Sequence, residues 1–189
     1  MTKSELRKYY QNKRILLSPK QLDDISAEIC HLAFRTFQLE KKKISLFLPI
    51  ERKKEINTYK IWQKALSFDA EVAVPKINGK TNELKHVLFD SEDQLEISTL
   101  GIPEPRKGRI MAAEHFDIVF VPLLATDIEG HRVGYGKGYY DRFLKKCSAR
   151  CKFIGLNHFE GLVDKIDDIN KHDVKLDACI TPNKIHHFR

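Results

Sequence analysis

Four short apolar runs that each end in proline constrain this chain most: "ISLFLP" (44–49), "EVAVP" (71–75), "DIVFVP" (117–122) and "ACITP" (178–182). Their Ile, Val and Phe content favours strands. They are too continuous for a sheet with one wet face, so they are expected to be inner strands covered on both sides. Proline cannot donate to a ladder and is expected to mark where pairing stops. Helical periods fall before and between these runs. Segment 4–17 has Ser4 as a cap signal, and 18–37 has Ser18 as N-cap with Pro19 at the first helical position. In the second of these, Leu22, Ile25, Ile29, Leu32 and Ala33 recur at three- and four-residue steps. Segment 57–68 places Ile61, Trp62, Ala65 and Leu66 on one face. Strands alternating with helices predict an α/β fold. The expectation is a single domain spanning 1–189: a three-layer open sheet, largely parallel, with helices on both faces. Ligands of such sheets bind outside the carboxyl ends of the strands. Glu51–Glu55, Lys76, segment 123–138 and the region after Pro182 are therefore candidates to line a site.

A formal charge of +7 invites a polyanionic partner, either nucleic acid or a phosphorylated small molecule. The basic residues are spread out, in clusters no longer than Lys41–Lys43 or Arg52–Lys54. No arginine-rich arm, zinc-finger spacing or aromatic RNA-binding motif accompanies them, which argues against nucleic acid. The longest nearly unbroken apolar run, "IVFVPLLA" (118–125), is too short to cross a bilayer, so no membrane partner is expected. The first residues, "MTKSELRKYYQNKR", have no apolar stretch of the secretory kind. Cys30, Cys147, Cys151 and Cys179 form no CxxC, and no nearby His or acid completes a metal set around Cys147 and Cys151. A reduced, cytoplasmic, monomeric protein is expected.

The chain has nine glycines, yet Gly130, Gly134, Gly136 and Gly138 fall within the stretch "GHRVGYGKGYYDRFL" (130–144). The connection from Pro122 to Tyr139 is longer than loops without structure of their own usually are. A helix is expected to follow, with Tyr140, Phe143, Leu144 and Cys147 on one face. Strand, glycine loop and helix together suit a phosphate, through backbone N–H groups that converge and a positive helix end. Arg132 and Lys137 add full charges. Neither standard nucleotide motif fits. A P-loop would need Gly at His131 and Ser or Thr at Gly138, and a dinucleotide loop would need Gly at Tyr139. A turn that merely packs tightly is the alternative. Asp141 is either a carboxylate favoured by the helix dipole or a Mg²⁺ ligand beside phosphates. Asp177 is a candidate second carboxylate, and Asp164, Asp167 and Asp168 are others.

From Gly130 to Asp141 the sequence resembles the 5-formyltetrahydrofolate cyclo-ligase family, whose signature reads G-x-R-[LV]-G-x-G-x-G-[YF]-Y-D. Lys3, Leu6, Arg7 and Arg14 match the family's N-terminal pattern, "EINT" (55–58) its segment after the first strand, and Lys175–Asp177 its late acidic context. "GIPEP" (101–105) also agrees, so the resemblance spans essentially the whole chain. "PLLATD" (122–127) departs from the family's P-G-[LVI]-A-F-D at Leu123 and Thr126.

The resemblance implies ATP- and Mg²⁺-dependent cyclisation of 5-formyltetrahydrofolate to 5,10-methenyltetrahydrofolate, with ADP and phosphate released. It implies that Lys3, Arg7, Arg132 and Lys137 neutralise triphosphate charge, with Lys3, Arg132 and Lys137 as the catalytic residues, and that Gly134, Gly136 and Gly138 supply backbone donors. Residues Lys3, Ser4, Glu5, Leu6, Arg7, Arg132, Val133, Gly134, Tyr135, Gly136, Lys137, Gly138, Tyr139 and Tyr140 would surround ATP. Glu55, Leu48, Tyr139 and Tyr140 would meet the folate, and Asp141 and Asp177 would hold Mg²⁺. On the same resemblance Glu55 bonds the paired donor edge of the pterin. Without it, Glu55 reads as one more solvated charge. The opposing possibility is a module that binds nucleotide or RNA without turnover.

Overall fold

A computed structural model of the protein describes residues 1–79, 81, 83–98 and 101–189. In chain order come α1 (Lys3–Ile15), α2 (Pro19–Thr36), β1 (Lys43–Ser45), α3 (Tyr59–Leu66), β2 (Glu71–Asn78) and β3 (Glu83–Leu88). They are followed by β4 (Leu95–Ile97), β5 (Pro103–Pro105), β6 (Ile110–Met111), β7 (Ile118–Pro122), β8 (Ala125–Thr126) and β9 (Arg132–Val133). The last elements are α4 (Tyr139–Leu144), β10 (Lys152–Leu156), β11 (Ala178–Thr181) and β12 (Lys184–His187). The main sheet has the order β12-β11-β10-β7-β1-β2-β3-β6. Its centre, from β11 to β2, is parallel, and the edges are added by antiparallel pairs: β12 on β11, β3 on β2 and β6 on β3.

The proline-ended runs supply β1, β2, β7 and β11, four of the five parallel strands, with β10 the fifth. Successive residues turn to opposite faces with the period of two that a strand imposes, so both faces are buried. Ile118 and Phe120, Val72 and Val74, and Ile154 and Leu156 face α2 and α3, where Ile29, Ala33, Ile61 and Trp62 complete one core. Val119, Val121, Ala73, Phe153 and Cys179 face the other way, onto Phe143 and Leu144 of α4. A smaller cluster joins Leu6 and Tyr10 of α1 to Leu124, Ala125, Val133 and Ile166. The result is the expected three-layer arrangement. No helix among the described residues is long and apolar enough to cross a membrane.

Several boundaries differ from expectation for visible reasons. Pro75 does not end its strand, because β2 continues to Asn78. The backbone groups of Ala73 point toward β1 and those of Val72 toward β3, so Pro75, two residues past Ala73, turns its missing N–H to the side where β1 has already stopped. Two residues on, the Ile77 N–H donates to the Glu104 carboxylate instead of a strand. The cap of α1 is Thr2, not Ser4, with Glu5 closing a capping box. The long connection after β7 has its own structure: β8 and β9 pair antiparallel, and Asp127 accepts the N–H groups of Glu129 and His131 across the turn. Helix α4 is only six residues long, so Cys147 lies beyond it and its dipole is weaker than expected.

One core residue makes stability depend on pH. His86 of β3 is buried, stacks on Phe143 with ring centroids 4.0 Å apart, and has no hydrogen-bond partner for either nitrogen among the described residues. Burial pushes its pKa down from 6.5 to about 3. Between those values the unfolded chain binds a proton that the native state refuses, so stability falls as pH drops from about 6.5 toward 3. His86→Leu is expected to remove about one proton's worth of that slope, roughly 1.4 kcal/mol per pH unit. Urea unfolding between pH 6 and 4 measures it, and an unchanged slope would contradict the assignment.

Candidate active site

The carboxyl ends of β1, β7 and β10 converge on a crevice, too narrow in this structure to hold a water, lined by Arg14, Phe47, Glu55, Ile56, Pro122, Leu123, Leu156 and His158. Glu55 arrives there through a short turn. Residues Glu51–Lys53 form one 3₁₀ turn, and Lys54 adopts φ 47°, which reverses the chain. The Lys54 amine donates to the carbonyls of Ile15 and Leu17 at the end of α1, both at 2.6 Å. His158 Nε2 donates to the Lys54 carbonyl at 2.9 Å. Burial pushes the His158 pKa down to about 3, so it is neutral and carries its proton on Nε2.

Glu55 is only 6% exposed, although the sequence shows it within a run of charges. One oxygen, Oε2, accepts the Ile50 N–H at 2.8 Å. The other, Oε1, accepts the phenol of Tyr135. That phenol in turn accepts Arg14 Nη1 at 2.9 Å, and Arg14 Nη2 donates to the Leu123 carbonyl at 2.8 Å. Burial, followed by the Glu55 charge, raises the Tyr135 pKa far above the usual phenol range. Arg14 Nε and Asn157 Nδ2 are buried without a partner among the described residues. The crevice therefore offers one carboxylate and, at Arg14 Nε, a spare donor, with that of Asn157 on the chain between the lining residues Leu156 and His158.

The glycine loop holds the second half of the site. Gly136 has φ +88°, and a Cβ there would press on the Arg7 guanidinium at 3.3 Å. Arg7 Nε donates to the Gly134 carbonyl at 2.8 Å, so α1 clamps the loop. Gly138 starts α4 at φ +67°. Gly130 has a different purpose, since a Cβ would collide with the Phe188 ring at 2.9 Å. Arg132 is buried and pairs with Asp141 at 2.7 Å. Burial pulls its guanidinium pKa down and Asp141 opposes that. Asp141 Oδ1 also accepts the Val174 N–H at 3.1 Å. Lys3 pairs with Asp173. Burial alone would raise the Asp173 pKa, but the bonds from Lys3 and the Asn170 N–H outweigh it and hold it low. Lys137 is exposed at the loop's tip.

Lys3, Arg7, Arg132, Asp141 and the loop glycines are thus brought together, and Tyr135 ties them to Glu55. Other expected residues are placed elsewhere. Asp177 is not with Asp141. It precedes β11 at the amino edge of the sheet, where its carboxylate accepts the Phe153 N–H at 2.8 Å and faces Lys152 and Arg189. The acid beside Lys3 and Arg132 is Asp173. Asp168 accepts the Lys3 N–H, and Asp167 pairs with the terminal amine. The side chains of Leu6, Val133 and Leu48 are core, Glu5 closes the α1 cap, and Ser4 is exposed. Tyr139 is half-buried beneath the Arg142 guanidinium. The Tyr140 ring packs on the core while its hydroxyl is buried without a partner among the described residues, its pKa raised by burial and by Glu55. At the departure from the family pattern, Leu123 fills the space above Gly155, and the Thr126 hydroxyl donates to the His131 carbonyl.

A profile of the 5-formyltetrahydrofolate cyclo-ligase family matches residues 1–182. The chain belongs to that family. A probable 5-formyltetrahydrofolate cyclo-ligase of Schizosaccharomyces pombe is 27% identical over 98% of this chain and 97% of its own length. Its counterpart in Caenorhabditis elegans is 29% identical over 94% of this chain and 91% of its own. The solved structure of Aquifex aeolicus 5,10-methenyltetrahydrofolate synthetase superposes with a TM-score of 0.85 at 30% identity, covering 100% of this chain and 94% of that one. A Mycoplasma pneumoniae 5,10-methenyltetrahydrofolate synthetase gives a TM-score of 0.73 at 25% identity, covering 97% of this chain and 100% of that one. Family membership agrees with the glycine loop's position at the carboxyl edge of the sheet.

Proposed function

We propose that this protein converts 5-formyltetrahydrofolate to 5,10-methenyltetrahydrofolate at the expense of ATP. The observation that carries the reading is the junction of two unlike half-sites. A buried carboxylate with spare donors around it suits a pterin, and a cation-lined glycine loop beside it suits a triphosphate. In the reaction the γ-phosphoryl group of ATP passes to the formyl oxygen and ADP leaves. The folate's N10 then attacks the formyl carbon, N10 gives up its proton, phosphate departs, and the methenyl bridge closes between N5 and N10.

Glu55 would orient the pterin through its paired N–H donors. Arg14 and Asn157 have unused donors for the ring's acceptor atoms. Lys3, Arg7, Arg132 and Lys137 would neutralise phosphate charge, since phosphoryl transfer needs positioning and charge stabilisation more than covalent help. The donor set also fits Mg²⁺. Asp141 and Asp173 supply oxygen ligands, and no group of three or more His, Cys, Asp or Glu side chains gathers among the described residues. A cation held there needs phosphate oxygens to complete its shell, as Mg²⁺ commonly does. When bound, it would supply charge neutralisation at the phosphates.

Purified protein given ATP, Mg²⁺ and 5-formyltetrahydrofolate is expected to produce the absorbance of 5,10-methenyltetrahydrofolate. No product under those conditions would overturn the reading.

A further inference from the structure

We propose that Tyr135 is a latch: its phenol occupies the Glu55 oxygen that the folate needs, and the folate must displace it to bind. The inference rests on the assignment of Glu55 to the folate. Glu55 has both carboxylate oxygens in use, with Ile50 N–H on one and Tyr135 on the other. Each oxygen keeps a second lone pair, but the crevice beside Glu55 has no room even for a water, so a paired donor edge cannot reach that carboxylate until a neighbouring side chain moves.

The two partners differ in how freely they can go. Ile50 is five residues from Glu55 in the same turn, which Lys54 fastens to α1. Tyr135 reaches Oε1 with a side-chain hydroxyl, which a change of rotamer withdraws without moving the backbone that Arg7 holds at Gly134, whereas the Ile50 donor is a backbone N–H. Tyr135 is therefore the exchangeable partner. Its ring is held on the outer side by the Lys53 amine, 3.7 Å from the centroid, and burial pushes the Lys53 pKa down. Arg14 Nη1 holds the phenol from within. Arg14 also has its buried Nε unpartnered, so displacing the phenol exposes a guanidinium beside the vacated carboxylate oxygen. Both groups of that pair are then ready for a ligand with a donor and an acceptor side by side.

The latch also links the two half-sites. While it is closed, the glycine loop is fixed to the folate carboxylate and not free to adjust to a triphosphate. Folate binding removes that tether and leaves the Arg7 bond to Gly134. Apparent folate affinity is reduced by the fraction of molecules in which the latch is closed.

Tyr135→Phe removes the phenol and keeps the ring under Lys53. Two measurements read it. Without any ligand, amide hydrogen exchange across residues 134–138 is expected to quicken about tenfold, the scale of one lost hydrogen bond to a charged group. In calorimetric titration without ATP, 5-formyltetrahydrofolate is expected to bind the variant about tenfold more tightly than the native protein. In turnover, KM for the folate should fall. A purely structural lesion would not tighten binding. Unchanged exchange overturns the latch, and so does folate affinity that is unchanged or weaker in the variant. Faster exchange with no folate binding by either protein would keep the latch and reject the folate assignment of Glu55.

Discussion

Arg132→Ala is expected to lower stability by about 3 kcal/mol and to abolish turnover to within about a hundredth of the native rate. The Arg132 side chain is 6% exposed and its guanidinium bonds both Asp141 and the Val174 carbonyl. Removal leaves a cavity in the wall of the loop and leaves Asp141 with only the Val174 N–H. Breaking a buried pair costs about 3–5 kcal/mol, and the figure here falls at the lower end because Asp141 is 29% exposed and partly hydrated. For a chain of this length the loss corresponds to a fall in Tm of about 10 °C. Lysine should not rescue it, since an ammonium lacks the fork that reaches a carboxylate and a carbonyl together. Adding Asp141→Asn should recover part of the stability and none of the activity, because the stranded charge is gone while the phosphate cation is still missing. Differential scanning calorimetry and turnover on the same preparations separate the two effects. Full activity in Arg132→Ala would remove this residue from the phosphate site.

Glu55→Gln is expected to weaken 5-formyltetrahydrofolate binding by about a hundredfold while ATP affinity and Tm stay close to native values. The amide keeps the shape and one acceptor, so Ile50 or Tyr135 can still be served. What is lost is the charge, and one oxygen becomes a donor that opposes the pterin's own donors. This substitution also discriminates between catalysis and simple nucleotide binding. A module that only grips phosphates through the glycine loop would be indifferent to it. Unaltered folate binding in Glu55→Gln would move the folate elsewhere in the molecule.

The inner strands and the glycine loop were legible in the sequence because their signals are local. Proline-ended apolar runs and a cluster of glycines need no distant partner to be read. β10 was not anticipated: "KFIGL" is interrupted by Gly155, which is there because Leu123 and Leu176 crowd its Cα. The ribbon of β8 and β9 is two residues wide on each side and depends on Asp127 bonding across its turn.

From the residues alone the site was legible only in the glycine motif, and Lys3, Arg7 and Glu55 entered through the family resemblance. Asp173 and Asp177 sit four residues apart in the same stretch, and spacing does not tell which one turns toward the loop. Lys3 decides it, from 170 positions away. Glu55 read as solvated because its burial comes from α1, the turn at Lys54, and Tyr135. Arg14 and His158 gave no signal of a place in the crevice, since each is positioned by long-range contacts to Tyr135, Leu123 or Lys54.

The central claim is that ATP cleavage and ring closure are one coupled reaction in this site. The direct measurement is stoichiometry: ADP and 5,10-methenyltetrahydrofolate followed together in the native protein with Mg²⁺ and limiting 5-formyltetrahydrofolate. The account predicts one ADP for each methenyl bridge, and no steady ADP release without the folate. ADP formation unaccompanied by methenyltetrahydrofolate, or methenyltetrahydrofolate formed without ATP, would contradict it.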